Sequence, residues 1–131
     1  MLLTRECDYG IRLIRALSKR GEGSVAQLCE DEHVPTQFAY KILKKLERSG
    51  IVRGYRGPYG GYKLLKSPLE LTLLNVVLAT EEEPLLAACI DADFNCPRNT
   101  DKHPCSVHRE LCKLQELVVT ELSKKTLSDI F

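Results

Sequence analysis

The stretch Arg53-Gly54-Tyr55-Arg56-Gly57-Pro58-Tyr59-Gly60-Gly61-Tyr62-Lys63 decides how the chain folds. Four glycines and a proline pin a tight reversal, while three tyrosines and three basic residues crowd its flanks and tip. This composition predicts a β-hairpin with strands over roughly 51–55 and 61–65. Gly57, Gly60 and Gly61 allow positive φ, where a Cβ would clash, so the backbone there can approach a ligand closely. Arg53 and Arg56 carry charge suited to phosphates or to the edges of a groove. Most glycine- and proline-rich hairpins are only hairpins, so the segment upstream decides whether this one does more.

That segment, Ser24 to Gly50, reads as two helices meeting at a turn. Ser24 with Gln27 makes a capping box, and Val25, Ala26, Leu28 and Cys29 give the first helix its apolar side. Pro35 pushes Val34 out of the α region and breaks the chain, and Thr36 is the expected cap of the second helix. Ala39, Ile42, Leu43 and Leu46 then recur at i, i+3, i+4 and i+7, with Gly50 as the expected stop. Gln37, Tyr40, Lys41, Lys44, Lys45 and Arg48 fall off that apolar stripe. Helix, turn, basic helix and glycine-rich hairpin is the order of a winged helix-turn-helix DNA-binding domain.

The remaining layout is coarser. Residues 4–20 are predicted to be a helix with Leu13, Ile14 and Leu17 inward. Ser67-Pro68 and Thr72 are candidate starts for a helix carrying Leu73, Leu74, Val76, Val77 and Leu78, closed by Glu81–Glu83 and Pro84. Periodicity is lost from Asp91 to Pro104, so a loop is expected there. A final helix over about 104–124 puts Val107, Leu111, Leu114, Val118 and Leu122 on one stripe. The fold class is therefore mainly α with a small β-hairpin wing. Residues 1–66 form the winged helix-turn-helix region and 67–131 a cysteine loop and final helix, in one compact domain.

Charge is segregated along the chain. The whole has a formal net charge of +1, yet residues 36–66 hold eight Lys or Arg against Glu47 alone, while residues 70–94 hold six acids and no Lys or Arg. The basic block coincides with the second helix of the pair and with the hairpin, which suits an electrostatic footprint for phosphates. At 131 residues and 44% hydrophobic content the chain is one domain's worth. It has no run of eighteen apolar residues, which argues against a membrane partner. Arg5 interrupts the N-terminus before any signal-peptide core could form, so a cytoplasmic location is expected. No nucleophile–base pair or paired carboxylates stand out, and His33, His103 and His108 lack an obvious catalytic partner. An enzyme is not expected.

Six cysteines in a cytoplasmic chain need another explanation than disulfides. Cys29, on the apolar side of its helix, reads as a small buried hydrophobe. Cys89, Cys96, Cys105, His108 and Cys112 are spaced C-x6-C-x8-C-x2-H-x3-C, mostly in a polar loop of the kind that a metal organises. Cys105 is expected in the first turn of the last helix, where the helix dipole favours thiolate. Cys105 and His108 are i, i+3 neighbours, whereas Cys112 lies about 10.5 Å from Cys105 along the axis at 1.5 Å per residue. Zinc on Cys89, Cys96, Cys105 and His108 is chemically possible. Iron–sulfur centres accept wider intervals because the cluster spans the gap. Spacing points to metal and leaves its identity open.

Leu3-Thr4, Tyr9, the wing Arg56-Gly57-Pro58-Tyr59-Gly60-Gly61-Tyr62 and the late cysteines with Cys105-Ser106-Val107-His108 resemble the IscR/NsrR-type family of bacterial winged-helix regulators, many of which carry an iron–sulfur cluster. The resemblance implies a homodimer in which the last long helix crosses its partner, and a cluster whose state alters binding to a double-stranded DNA operator. It implies Cys89, Cys96, Cys105 and His108 as ligands of a 2Fe–2S centre, with 4Fe–4S as the alternative. Cysteine intervals of six and eight depart from the family's even spacing of five. Asp8 occupies the place of the acid that ligates in the NsrR type, and Cys7 and Cys112 are further thiols that could serve. A cluster-free relative would act through a cysteine thiol switch or a bound small effector.

The family's base-contacting positions fall on Gln37, Tyr40 and Lys41. Gln reads adenine and Lys reaches guanine or phosphate in the major groove. Arg56 would enter a narrow A·T-rich minor groove. Lys44, Lys45 and Tyr55 are expected on the phosphate backbone, and Thr36 and Tyr59 complete the candidate DNA-binding set.

Overall fold

The computed structural model describes residues 3–131. Helix α1 (Arg5–Arg20) starts at Thr4, whose hydroxyl accepts the Cys7 N–H at 3.4 Å. A two-residue strand β1 (Glu22–Gly23) leads into α2 (Val25–Glu32). Both halves of the expected capping box form there: the Gln27 N–H donates to Ser24 Oγ at 3.3 Å, and the Ser24 N–H donates to Gln27 Oε1 at 3.0 Å. Val25, Leu28 and Cys29 are buried as the stripe requires, but Ala26 is exposed. His33 closes α2 in the left-handed region at φ 53°, which its sequence position did not announce.

Helix α3 (Thr36–Arg48) buries Ala39, Ile42, Leu43 and Leu46 completely. Its N-cap is Pro35, with Thr36 already helical, so the expected Thr36 cap is not made. Gly50 follows at φ +70°, and the Ile51 N–H returns to the Leu46 carbonyl at 3.0 Å, a C-terminal closure that needs a residue free to be left-handed. Leu13, Ile14 and Leu17 of α1 meet this helix in a common core. Each fully buried Leu or Ile there stabilises the fold by about 1.5–3 kcal/mol relative to exposure.

The wing is β2 (Val52–Tyr55) and β3 (Gly61–Leu64), antiparallel, with Gly54 opposite Tyr62. β1 adds to the other side of β3, with Gly23 opposite Tyr62, so the sheet order is β1-β3-β2. Of Gly57, Gly60 and Gly61, only Gly57, at φ +142°, has a positive φ. Gly60 and Gly61 serve close approach instead: a Cβ on Gly61 would stand 2.2 Å from the Gly23 carbonyl oxygen. Gly61 therefore admits β1 to the sheet rather than making the turn.

Thr72 caps α4 (Leu73–Thr80) with Asn75, and α4 buries Val76, Val77 and Thr80 while Leu78 faces out. Residues 81–105 contain one turn of 3₁₀ helix at Ala88–Ile90 and no other regular element. Helix α5 (Ser106–Lys124) follows, then a single turn α6 (Leu127–Ile130) that the sequence reading omitted. The Leu127 N–H donates to the Leu71 carbonyl at 2.7 Å, and Leu127 inserts fully into the core. The stripe expected along α5 divides. Val118 and Leu122 pack against the core, whereas Val107 (64% exposed) and Leu114 (49%) face out with Leu117 (65%).

Candidate nucleic-acid interface and cysteine segment

α3 and the wing enclose a cleft of about 520 Å³, floored by the start of α2. Tyr40 and Lys44 line it from α3, Tyr55 and Arg56 from the wing. Four of the nine candidate DNA-binding residues therefore converge on one concavity. Tyr59 stands at the wing tip, 89% exposed, and Thr36 and Gln37 are exposed at the start of α3. On a β-turn this ring packs on little among the described residues. Arg56, at the wing side of the cleft, is exposed.

Lys41 and Lys45 belong to a different surface. Lys41 Nζ donates to Glu6 Oε1 at 2.7 Å, and Lys45 Nζ donates to Glu6 Oε2 at 2.6 Å and to the Thr80 carbonyl at 2.8 Å. One α1 carboxylate thus ties two α3 lysines to the end of α4. The Lys41 hydrogen bond, with that of Lys45 second, holds the Glu6 carboxyl below its ordinary range. Thr4 bonds Glu81 at the same corner. Partners 35 and 39 residues apart leave no periodic trace, so sequence reasoning could not have found this clamp.

Glu47, the one acid of the basic block, was also missed as a contributor. Its Oε1 accepts the Gly54 N–H of the wing at 2.8 Å, and its Oε2 accepts from Lys44 Nζ at 3.3 Å. The Gly54 N–H, ahead of Lys44, pulls its carboxyl below the ordinary range.

In the cysteine segment, Cys105 is the N-cap of α5 rather than a first-turn residue: its Sγ accepts the His108 N–H at 3.5 Å, and its own N–H donates to Asn99 Oδ1 at 2.9 Å. The His108 ring lies beside Cys112, Nε2 to Sγ 3.5 Å, and its Nδ1 is buried without a hydrogen-bond partner. Cys105, His108 and Cys112 therefore share one helix face, and the helix brings His108 to Cys112, the thiol that spacing set aside. Cys89 and Cys96, both half-buried, belong to the irregular segment before α5. Among the described residues no three of His, Cys, Asp and Glu converge as a metal would require. The donors are chemically right for an iron–sulfur centre, but this arrangement does not assemble the four expected ligands. Cys7 is fully buried, and burial raises its thiol pKa, as it does for Cys29. Neither is presented as a ligand. Asp8, exposed, pairs with Arg12 at 2.9 Å. No helix among the described residues is long and apolar enough to cross a membrane.

Known proteins align with this chain over nearly its whole length. Protein aau3 of Rhizobium meliloti (strain 1021) is 29% identical over 99% of this chain and 84% of its own. The structure of CymR (YrzC), the global cysteine regulator of B. subtilis, superposes with a TM-score of 0.73 at 19% identity, covering 97% of this chain and 93% of that one. That of T. potens IscR gives 0.70 at 20% identity, covering 97% and 83%. At these identities the two structures speak to the fold, a winged helix with a three-stranded antiparallel sheet. The model of the Rrf2 family, described as iron-dependent transcriptional regulators, matches residues 3–131, and the chain belongs to that family.

Proposed function

We propose that this Rrf2-family transcription regulator binds a two-fold operator as a homodimer, reading it with the cleft between α3 and the wing, and that the segment 89–112 sets its affinity. The observation that carries this is the convergence of Tyr40, Lys44, Tyr55 and Arg56 on one concavity, beside exposed Gln37 and Tyr59. Phosphate contacts from Lys44 and Tyr55 position such a domain, while Gln37 and Tyr40 face bases and Arg56 the minor groove. The exposed Val107, Leu114 and Leu117 supply an apolar face for a second copy, and two-fold symmetry would fix half-site spacing. As a DNA-reading regulator it would work in the cytoplasm.

Two sensing chemistries fit the segment. The family's description as iron-dependent and the donor set Cys89, Cys96, Cys105 and His108 favour an iron–sulfur cluster. The free thiols of Cys89, Cys96, Cys105 and Cys112, the last against His108, are the groups that a cluster-free thiol switch would use. Selection of duplexes from a random pool tests operator binding, and a pool that yields no enriched site contradicts it. Iron and acid-labile sulfide in protein prepared without oxygen divide the two chemistries. Their presence, lost in Cys89→Ala, Cys96→Ala and Cys105→Ala, supports the cluster. Their absence after attempted reconstitution supports the thiol switch.

A further inference from the structure

We propose that Glu47 is a positioning residue for DNA reading: it fastens the edge strand of the wing to the recognition helix and so sets where Arg56 lies. This rests on the proposal that α3 and the wing engage one duplex together.

In the order β1-β3-β2, strand β2 is paired on one side only. The outward N–H groups of such an edge need another partner. At Gly54 that partner is a side chain from α3, Glu47 Oε1 at 2.8 Å. A Cβ on Gly54 would lie 3.3 Å from that oxygen and 3.4 Å from Tyr62 Cε1, so a bare backbone lets the carboxylate close on the strand. Arg56 follows two residues later and lines the same cleft as Glu47. The strut therefore spans the joint between the two parts that must reach adjacent grooves.

The same carboxylate carries the only negative charge of residues 36–66 and occupies Lys44 at 3.3 Å. Facing phosphates, that charge opposes binding to any duplex. A group that weakens non-specific binding while fixing the geometry of a minor-groove arginine raises the ratio of specific to non-specific affinity. Glu47 contributes discrimination, not strength.

Charge and geometry separate in two variants. Glu47→Gln keeps an acceptor for the Gly54 N–H but drops the charge and frees Lys44. Glu47→Ala removes both. Each is measured, in the full chain, on a duplex enriched by the wild-type protein and on the same duplex with its A·T flanks changed to G·C. Glu47→Gln should bind both duplexes more tightly, with a log–log salt slope steeper by up to about 0.9, and keep the wild-type preference between flanks. Glu47→Ala should also bind more tightly to the G·C-flanked duplex but lose the flank preference. In a double-mutant cycle, Arg56→Ala should cost on the order of tenfold on the A·T-flanked duplex in wild type and about twofold or less in the Glu47→Ala background. An equal fold-cost of Arg56→Ala in both backgrounds overturns the proposal, as does a Glu47→Gln variant as indiscriminate as Glu47→Ala. Glu47 is partly exposed, so the alanine variant should fold. If its thermal transition is lost, the flank preference of Glu47→Gln decides alone. Wild-type protein that enriches no duplex would sink the operator reading itself, an outcome distinct from either of these.

Discussion

Residues 5–80 and residues 81–126 are two kinds of structure in one chain. The first region holds nearly all of the core: α1, α2, α3 and α4 each bury residues completely, and Ile51, Val52 and Tyr62 extend that core into the wing. In the second region not one residue is buried, although it includes the nineteen-residue helix α5. That helix packs Val118 and Leu122 against the core but leaves Val107, Leu114 and Leu117 exposed, and most helical stability comes from packing an apolar face. The reading head is determined by contacts it makes with itself. The second region leaves an apolar face and four cysteines outside any core, which is why the proposed homodimer and sensing chemistry are placed there.

That contrast can be broken at several points. The largest effect should come from the exposed face of α5. Changing Leu114 and Leu117 together to Glu should leave monomers in sedimentation equilibrium and lower operator affinity a hundredfold or more, on the order of 3 kcal/mol. Unchanged assembly would mean that this face is covered by something else. Next is the core itself: Leu43→Ala should cost about 2–5 kcal/mol in denaturant unfolding, whereas Leu117→Ala in the monomeric state should stay within about 0.5 kcal/mol. Similar costs at both sites would erase the distinction between the regions.

Smaller effects follow from the ion pairs of the reading head. Arg15 clasps the buried Glu32 at 2.5 and 2.8 Å and lowers its carboxyl pKa, and Lys41 and Lys45 lower that of Glu6. A depressed carboxyl stabilises the fold above its unfolded value, about 4.3 for Glu, and loses that contribution as pH falls through the folded value. Stability should therefore be flat with respect to these groups from pH 7 to 5 and decline below about pH 4. In Glu32→Gln that acid-limb decline should be shallower from a lower plateau, by chemical denaturation against pH. The smallest change expected is in Glu6→Gln, which removes the charge that pairs Lys41 and Lys45 while Lys45 keeps its hydrogen bond to the Thr80 carbonyl. It should tighten binding a few-fold and steepen the log–log salt slope by about 0.9 for each lysine that reaches a phosphate. An unchanged slope would mean that neither lysine faces DNA once released.

Much of the reading head was legible because its determinants are local. Ala39, Ile42, Leu43 and Leu46 recur at the helical period and are all buried, Ser24 and Gln27 form their box, and Gly50 adopts the left-handed turn its position required. Determinants acting across the chain were not legible. β1 is two residues long and exists because Gly61 admits the Gly23 carbonyl, a fact of packing that no period of two reveals. α6 is one turn whose sole buried residue, Leu127, reaches the core through Leu71. The clamp on Glu6 and the strut at Glu47 join residues far apart in sequence or on different elements. The α5 stripe was visible as a period, but a period does not say what covers it. The cysteine spacing likewise names the donors without bringing them together.

The most direct test of the account is the salt dependence of binding to an enriched duplex, for wild type and for Lys44→Ala with Arg56→Ala. If the cleft between α3 and the wing grips phosphates and groove, log affinity should fall linearly with log salt. The double variant should flatten that slope by about 0.9 for each phosphate contact removed, with affinity down on the order of tenfold or more at fixed salt. A double variant with wild-type slope and affinity would contradict the account, because the convergence of these residues on one cleft would then have nothing to do with DNA.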